Sequence, residues 1–91
     1  MNKDRMPVKN PDIVDRIEEK EALLFDPATG GMMCVNSTGI FIWGKCDGTH
    51  TCDDIIGEIE REYEVTRDES ENDCEVFLTK LENKGFLAYK A

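Results

Sequence analysis

Positive charge, histidine and long apolar runs are all scarce in this chain. Against 20 acidic residues stand 11 Lys and Arg, giving a formal net charge of −9 over 91 residues. A phosphate backbone is repelled by such a field, so nucleic acid is excluded as an expected partner, and an anionic membrane surface with it. No apolar run approaches the roughly 20 residues of a membrane span. The opening MNKDRMPVKNP carries charge but no apolar segment, so it is not a signal peptide. Residues 1–11 are expected to be a flexible leader, and residues 12–91 a single domain. With no export signal the expected compartment is the cytoplasm, where the 4 cysteines stay reduced.

The motifs of common chemistries are also missing. There is no G-x-S-x-G, P-loop, G-x-G-x-x-G or H-E-x-x-H. Structural zinc sites favour paired C-x-x-C ligands, and no such pair occurs. The most chemical-looking stretch is KCDGTHTC, residues 45–52, where Cys46 and Cys52 flank the single histidine, His50. Cys46-x₃-His50-x-Cys52 is not a common ligand spacing. Cys52 and Cys74 each fall on an apolar helical stripe, where a free cysteine packs as a small hydrophobe. His50 is expected to be an exposed loop histidine, with no second histidine to make a catalytic pair. The run Glu58, Glu60, Arg61, Glu62 is most simply a solvated face. No enzyme, no metal and no cofactor are expected.

What is present reads as a small α+β domain. Ile13–Ile17 alternates weakly, Ala22–Phe25 is a short apolar run, and Met32–Val35 is another. Between the last two lies Asp26-Pro27-Ala28-Thr29-Gly30-Gly31, a turn by composition. These predict a three-stranded antiparallel meander. Asn36, Ser37 and Thr38 are all capable N-caps for a short helix over about Thr38–Cys46, with Gly48 expected at its C′ position. Thr51 caps a second helix with the stripe Cys52, Ile55, Ile56, Ile59 and Tyr63. Thr66 and Glu69 predict a capping box for a third, with the stripe Cys74, Phe77, Leu78 and Leu81 and with Gly85 at C′. Phe86–Tyr89 is expected to add a short extended end. Strands followed by helices indicate α+β rather than βαβ units. A trihelical unit beside a small sheet is a winged-helix-like layout.

Binding remains as a function. A three-stranded meander has edges with unpaired N–H and C=O groups, and an extended peptide adds to such an edge as another strand. Met32-Met33-Cys34 is a soft, adaptable apolar segment suited to contacting a peptide. By alternation, one of the sets Met32/Cys34 and Met33/Val35 faces the core and the other is free. Val76 lies off the third helix's stripe, with no evident core task. Edge strands also permit self-pairing, so a homodimer is compatible with the sequence. A winged-helix transcription regulator is the alternative reading, but its second helix, with Asp53, Asp54, Glu58, Glu60 and Glu62, is wrong for DNA. A cysteine-based metal or redox module is the third.

A family resemblance spans most of the chain, from about Ile13 to Leu87. The run Leu24-Phe25-Asp26-Pro27, Thr29-Gly30, Val35-Asn36-x-Thr38-Gly39 resembles the PqqD family, the pyrroloquinoline quinone synthesis D proteins. So do Ile42-Trp43-x-x-Cys46-Asp47-Gly48-x-x-Thr51, Ile55-Ile56 and Asp73-Cys74-x-x-Phe77-Leu78-x-x-Leu81-x-x-x-Gly85-Phe86-Leu87. Where this chain has Cys74 the family tends to have Val. The resemblance implies a peptide chaperone, a recognition element that binds the leader of a ribosomally made precursor peptide. Such an element presents that peptide to a modifying enzyme, often a radical S-adenosylmethionine enzyme. It implies a peptide site on the third strand of the meander, Gly31, Met32, Met33, Cys34 and Val35. The last helix would add Asp73, Val76, Phe77, Lys80 and Lys84.

Overall fold

The computed structural model describes residues 2–90. Met1 and Ala91, the outer ends of the expected leader and domain, lie outside the described residues. Eight elements follow in order: β1 (Met6–Lys9), β2 (Val14–Glu18), β3 (Glu21–Phe25), β4 (Met32–Val35), α1 (Ser37–Lys45), α2 (Cys52–Tyr63), α3 (Arg67–Asn83) and β5 (Leu87–Lys90). Strands β2, β3 and β4 form an antiparallel sheet in that order, and β1 pairs antiparallel with β5 in a separate ribbon. The chain is thus α+β, with the expected three-stranded meander and three helices among the described residues.

The N-terminal segment is a correction to the sequence reading. Residues 2–11 are not a loose leader, because Met6–Lys9 is a strand held on both sides. Toward β5, Asn10 N–H extends the ladder to the Phe86 carbonyl (2.9 Å). Toward the loop after α1, Lys9 N–H donates to the Cys46 carbonyl (2.8 Å), and Gly48 N–H donates to the Pro7 carbonyl (3.1 Å). Pro7, fully buried, loses nothing by lacking an N–H, since only its carbonyl is needed on that side. The carbonyls of Lys3 and Arg5 accept from Asp53 and Cys52 (both 2.9 Å). These N–H groups open α2 and have no partner within the helix, so the N-terminal segment satisfies donors that would otherwise be orphaned. The Arg5 guanidinium sits 3.7 Å over the Tyr89 ring and fastens the same segment to β5.

The turns and caps follow from local chemistry. The Asp26 carboxylate accepts from Ala28 N–H (2.9 Å), and its carbonyl accepts from Gly30 N–H (2.8 Å). That Asx-type turn returns the chain from β3 to β4. Asn36 caps α1 by accepting from Gly39 N–H (2.9 Å). Thr51 and Asp54 form a reciprocal capping box on α2 (3.0 Å each way). Donation by Thr51, first from its N–H and then from its hydroxyl, holds the Asp54 carboxyl below its ordinary pKa. At α3, Thr66 accepts from Glu69 N–H (3.2 Å), a single cap where a full box was expected. Helix α1 ends at Cys46, so Gly48 stands one residue beyond the expected C′ position. It keeps the positive φ (81°), and a Cβ there would lie 3.3 Å from Val8 of β1, so its bareness admits the strand. Gly85 does take C′ of α3, with Gly85 N–H to Glu82 and Phe86 N–H to Leu81 forming a Schellman closure.

The core joins Leu24 and Val35 of the meander to Ile42 and Trp43 of α1, Ile55, Ile56 and Ile59 of α2, Leu78 and Leu81 of α3, and Phe86. Cys46, Cys52 and Cys74 lie inside it. Trp43 Nε1–H reaches out of the core to the Asp15 carboxylate of β2 (3.0 Å). Ser70, buried in the first turns of α3, donates to the Ile56 carbonyl (2.6 Å) and pins α3 to α2.

Candidate functional site

Strand β4 is an edge of the meander, and its register shows which of its backbone groups are free. Asp26 N–H donates to the Gly31 carbonyl, so the pair 26/31 is a hydrogen-bonded one. Partners two residues along share that status, namely Leu24/Met33 and Ala22/Val35. Met33 and Val35 therefore spend their backbone groups on β3 and turn their side chains inward. Met32 and Cys34 direct their N–H and C=O groups away from β3, to the open edge. Their side chains lie on the outer face, and Met32 is 57% exposed. This divides the Met33/Val35 and Met32/Cys34 sets in the way alternation requires.

Beside that edge runs a groove of about 310 Å³, closed on its far side by α3. The strand contributes Met33, Cys34 and Val35, and the helix contributes Asp73, Val76, Phe77 and Lys80. Seven residues named from sequence are thus brought together. Val76, exposed and off the core stripe, has its place in the groove wall. Gly31, Met32 and Lys84 do not line the groove. Gly31 precedes β4 and lies against the Phe86 ring, Met32 points to the outer face, and Lys84 is the C-cap of α3. Asn36, Thr38, Gly39, Ile42 and Asn72 also line it and were not named as site residues. Asn72 was within reach of the sequence, because Asn72, Val76 and Lys80 recur at i, i+4 and i+8 on one helix face. The contribution of α1 was not, since it depends on how α1 crosses α3.

The groove's floor contains one close approach. A Cβ built on Gly39 would stand 3.1 Å from both Phe77 Cε1 and Val35 Cβ. Only hydrogen at that position lets the Phe77 ring lie down against α1 and leave space above it.

A second hollow, about 580 Å³, lies on the other side of β4, on the outer face of the sheet. Arg16, Glu18, Glu21 and Leu23 line it, and Cys34, Val35 and Asn36 line both hollows. The open edge is therefore flanked by a concavity on each face. A strand added there would project successive side chains alternately into the two.

The thiols and the histidine have other tasks. Burial pushes the Cys46 and Cys74 thiols up to about 12 and raises that of Cys52 as well, so all three pack as neutral hydrophobes. Cys46 donates to the Ile42 carbonyl (3.2 Å). His50 folds back on its own turn, with Nδ1 at 3.2 Å from Asp47 Oδ1 and 3.1 Å from Thr49 Oγ1. Donation by Thr49, first from its hydroxyl and then from its N–H, holds the Asp47 carboxyl well below the usual range. Among the described residues, no three Cys, His, Asp or Glu side chains gather as ion ligands. Nor does any helix have the length and apolar character to cross a membrane.

An α+β domain that leaves one sheet edge open along a helix-walled groove has the geometry of a peptide-strand acceptor. The chain belongs to the PqqD family: the family pattern described as coenzyme PQQ synthesis protein D (PqqD) matches residues 21–87. Among solved structures it is similar to TbiB1 in complex with the TbiA(beta) leader peptide. The two share 27% identity and a TM-score of 0.80, over 92% of this chain and 98% of that one. It also shares its fold with a lasso peptide synthetase B1 complexed with the leader peptide. There the identity is 24% and the TM-score 0.79, over 91% of this chain and 98% of that one. No match to a curated protein is found.

Proposed function

We propose that this protein is a non-enzymatic recognition module for the leader of a ribosomally made precursor peptide. The leader adds as a fourth strand on β4, and the module presents the attached peptide to a modifying enzyme. The single observation that carries this reading is the placement of the free Met32 and Cys34 backbone groups beside the groove walled by α3. Main-chain bonds to those groups supply affinity, and the two flanking hollows supply side-chain selection. Family membership supports the reading, as does the 27% identical TbiB1, whose structure is a complex with a leader peptide. The module is read as winged-helix-like, since α1–α3 pack beside a small meander. A radical S-adenosylmethionine enzyme is the partner class proposed, pyrroloquinoline quinone synthesis one candidate pathway, and the cytoplasm the proposed compartment.

The test is a titration of ¹⁵N-labelled protein with a synthetic leader encoded beside it. Amide shifts are expected at Met32–Val35 and along Asn72–Lys80, with new protection of the Met32 and Cys34 amides from hydrogen exchange. Shifts confined to α2, or none, overturn the reading.

A further inference from the structure

The groove is electrically polar along its length. Asp73 and Lys80 both line it, both are exposed, and neither makes an ion pair among the described residues. Between them stand the apolar Val76 and Phe77. Seven residues of helix separate the two charges by about 10.5 Å along the axis. The same helix face continues the polarity outward, with Glu69 a turn before Asp73 and Lys84 a turn after Lys80. The helix macrodipole accounts for acid in the first turn and base in the last, and its reach fades beyond them. Asp73 is the seventh residue of α3, so the dipole gives no reason for its charge.

The direction of β4 relative to this polarity is fixed by two contacts. Gly31, just before β4, lies against Phe86, beyond the C-terminal end of α3. Val35, at its end, lies against Gly39, which also touches Phe77, and Phe77 stands between Lys80 and Asp73 on α3. The strand thus runs from the Lys80 end of the groove toward the Asp73 end. Antiparallel pairing is the more stable per residue and continues the pattern of the meander. A peptide so paired runs past Asp73 first, then over Phe77 and Val35, and then past Lys80 toward the C-terminal end of α3.

We infer that the groove selects extended segments of the order basic–x–apolar–x–acidic, read from N- to C-terminus. Residues at i, i+2 and i+4 of a strand face the same side and span about 13 Å, which the reach of a Lys or Arg and a Glu fits to the Asp73–Lys80 spacing. The first then meets Asp73, the middle one covers Val76 and Phe77, and the last meets Lys80. This rests on the strand-addition reading above and names its ligand class. Exposed ion pairs each contribute roughly two- to fivefold in affinity, so the two pairs set preference and register while the backbone bonds set overall strength.

The experiment is a selection from an mRNA-displayed library of random twelve-residue peptides, run in parallel on the intact protein and on the variant Asp73→Lys with Lys80→Glu. Both positions are exposed, and an unchanged amide spectrum away from the groove verifies the fold of the variant. The native protein is expected to enrich the basic–x–apolar–x–acidic order at least fivefold over its charge-exchanged counterpart. The variant is expected to invert that preference, with selected peptides shifting the Met32–Val35 amides of both. Peptides that shift those amides without any charge order, or with the same order on both proteins, overturn the polarity inference and leave strand addition standing. Selected peptides that leave the Met32–Val35 amides unmoved overturn both.

Discussion

Gly39 of α1 and Phe77 of α3 touch across the floor of the groove at a distance that no Cβ at position 39 could keep without displacing the ring. The floor of the groove is therefore packed so closely at position 39 that a methyl group there must displace a neighbour. Replacing Gly39 by Ala gains about 1 kcal/mol of helix propensity and loses a comparable amount to overpacking. Net stability should change by less than about 1 kcal/mol on those same terms. The Phe77 ring, half-buried and with the groove as its open side, should move into the groove and lower leader affinity at least fivefold. Denaturant unfolding and a leader titration of Gly39→Ala together check this. Unchanged affinity would show that the peptide does not lie over Phe77.

The register of β4 separates two proline substitutions that look alike in sequence. Met33 N–H belongs to the β3–β4 ladder, so Met33→Pro removes a sheet bond and places the ring against β3. A loss of about 1–3 kcal/mol is expected from the unmade bond and its unpaired carbonyl, a large fraction of the stability of a domain of this size and a clear drop in melting temperature. Cys34 N–H faces the open edge, where proline is tolerated. Cys34→Pro should keep a native thermal transition and lose leader binding at least tenfold. Circular dichroism melts followed by binding on the folded variant decide the matter. A Cys34→Pro protein that binds normally would remove β4 as the acceptor edge.

Local signals in the sequence carried the meander, the three helices and their caps, because each rests on residues within one turn of each other: Asp26 with Ala28, Asn36 with Gly39, Thr51 with Asp54. Strand β1 left no such mark. Its partner β5 is about eighty residues away, its apolar content is Met6, Pro7 and Val8, and proline argues against a strand until one sees that only its carbonyl is used. The groove was half legible. The idle Val76 and the soft Met-Met-Cys run pointed to its two walls, but which of Met33 and Cys34 offers its amide depends on one backbone bond between Asp26 and Gly31. The floor, supplied by Gly39 and Ile42, follows from a helix crossing that no local pattern encodes.

Helix α2 ends on Glu64, held at φ 52° and ψ 38°, a left-handed conformation that costs a residue with a Cβ about 1–2 kcal/mol. The side chain is exposed. Glu64→Gly should remove that strain, partly offset by the greater freedom of glycine in the unfolded chain, for a net gain of about 1 kcal/mol. For a domain of this size the melting temperature should rise by about 4–8 °C. Leader binding should be unaffected, since Glu64 is remote from the groove lining. A lower melting temperature would mean that the Glu64 side chain contributes more than its backbone strain costs.

The four thiols should divide sharply in reactivity. Thiolate is the attacking species, and burial holds Cys46 and Cys74 up to about 12 and Cys52 above its ordinary value. At pH 8 Cys46 and Cys74 carry almost no thiolate, and all three are buried with no open path to a reagent. Cys34 alone is exposed. Native protein should therefore release about one equivalent of chromophore promptly from a disulfide reagent, and four in denaturant. The useful arm adds the leader peptide. Cys34 lines the hollows on both sides of the β4 edge, so a strand seated there should slow its modification severalfold, with the extent tracking occupancy. Protection must also be lost in Gly39→Ala if that variant loses affinity. Undiminished Cys34 reactivity at saturating leader would place the peptide away from β4. Prompt release of more than one equivalent without it would mean that the core opens on the timescale of the assay.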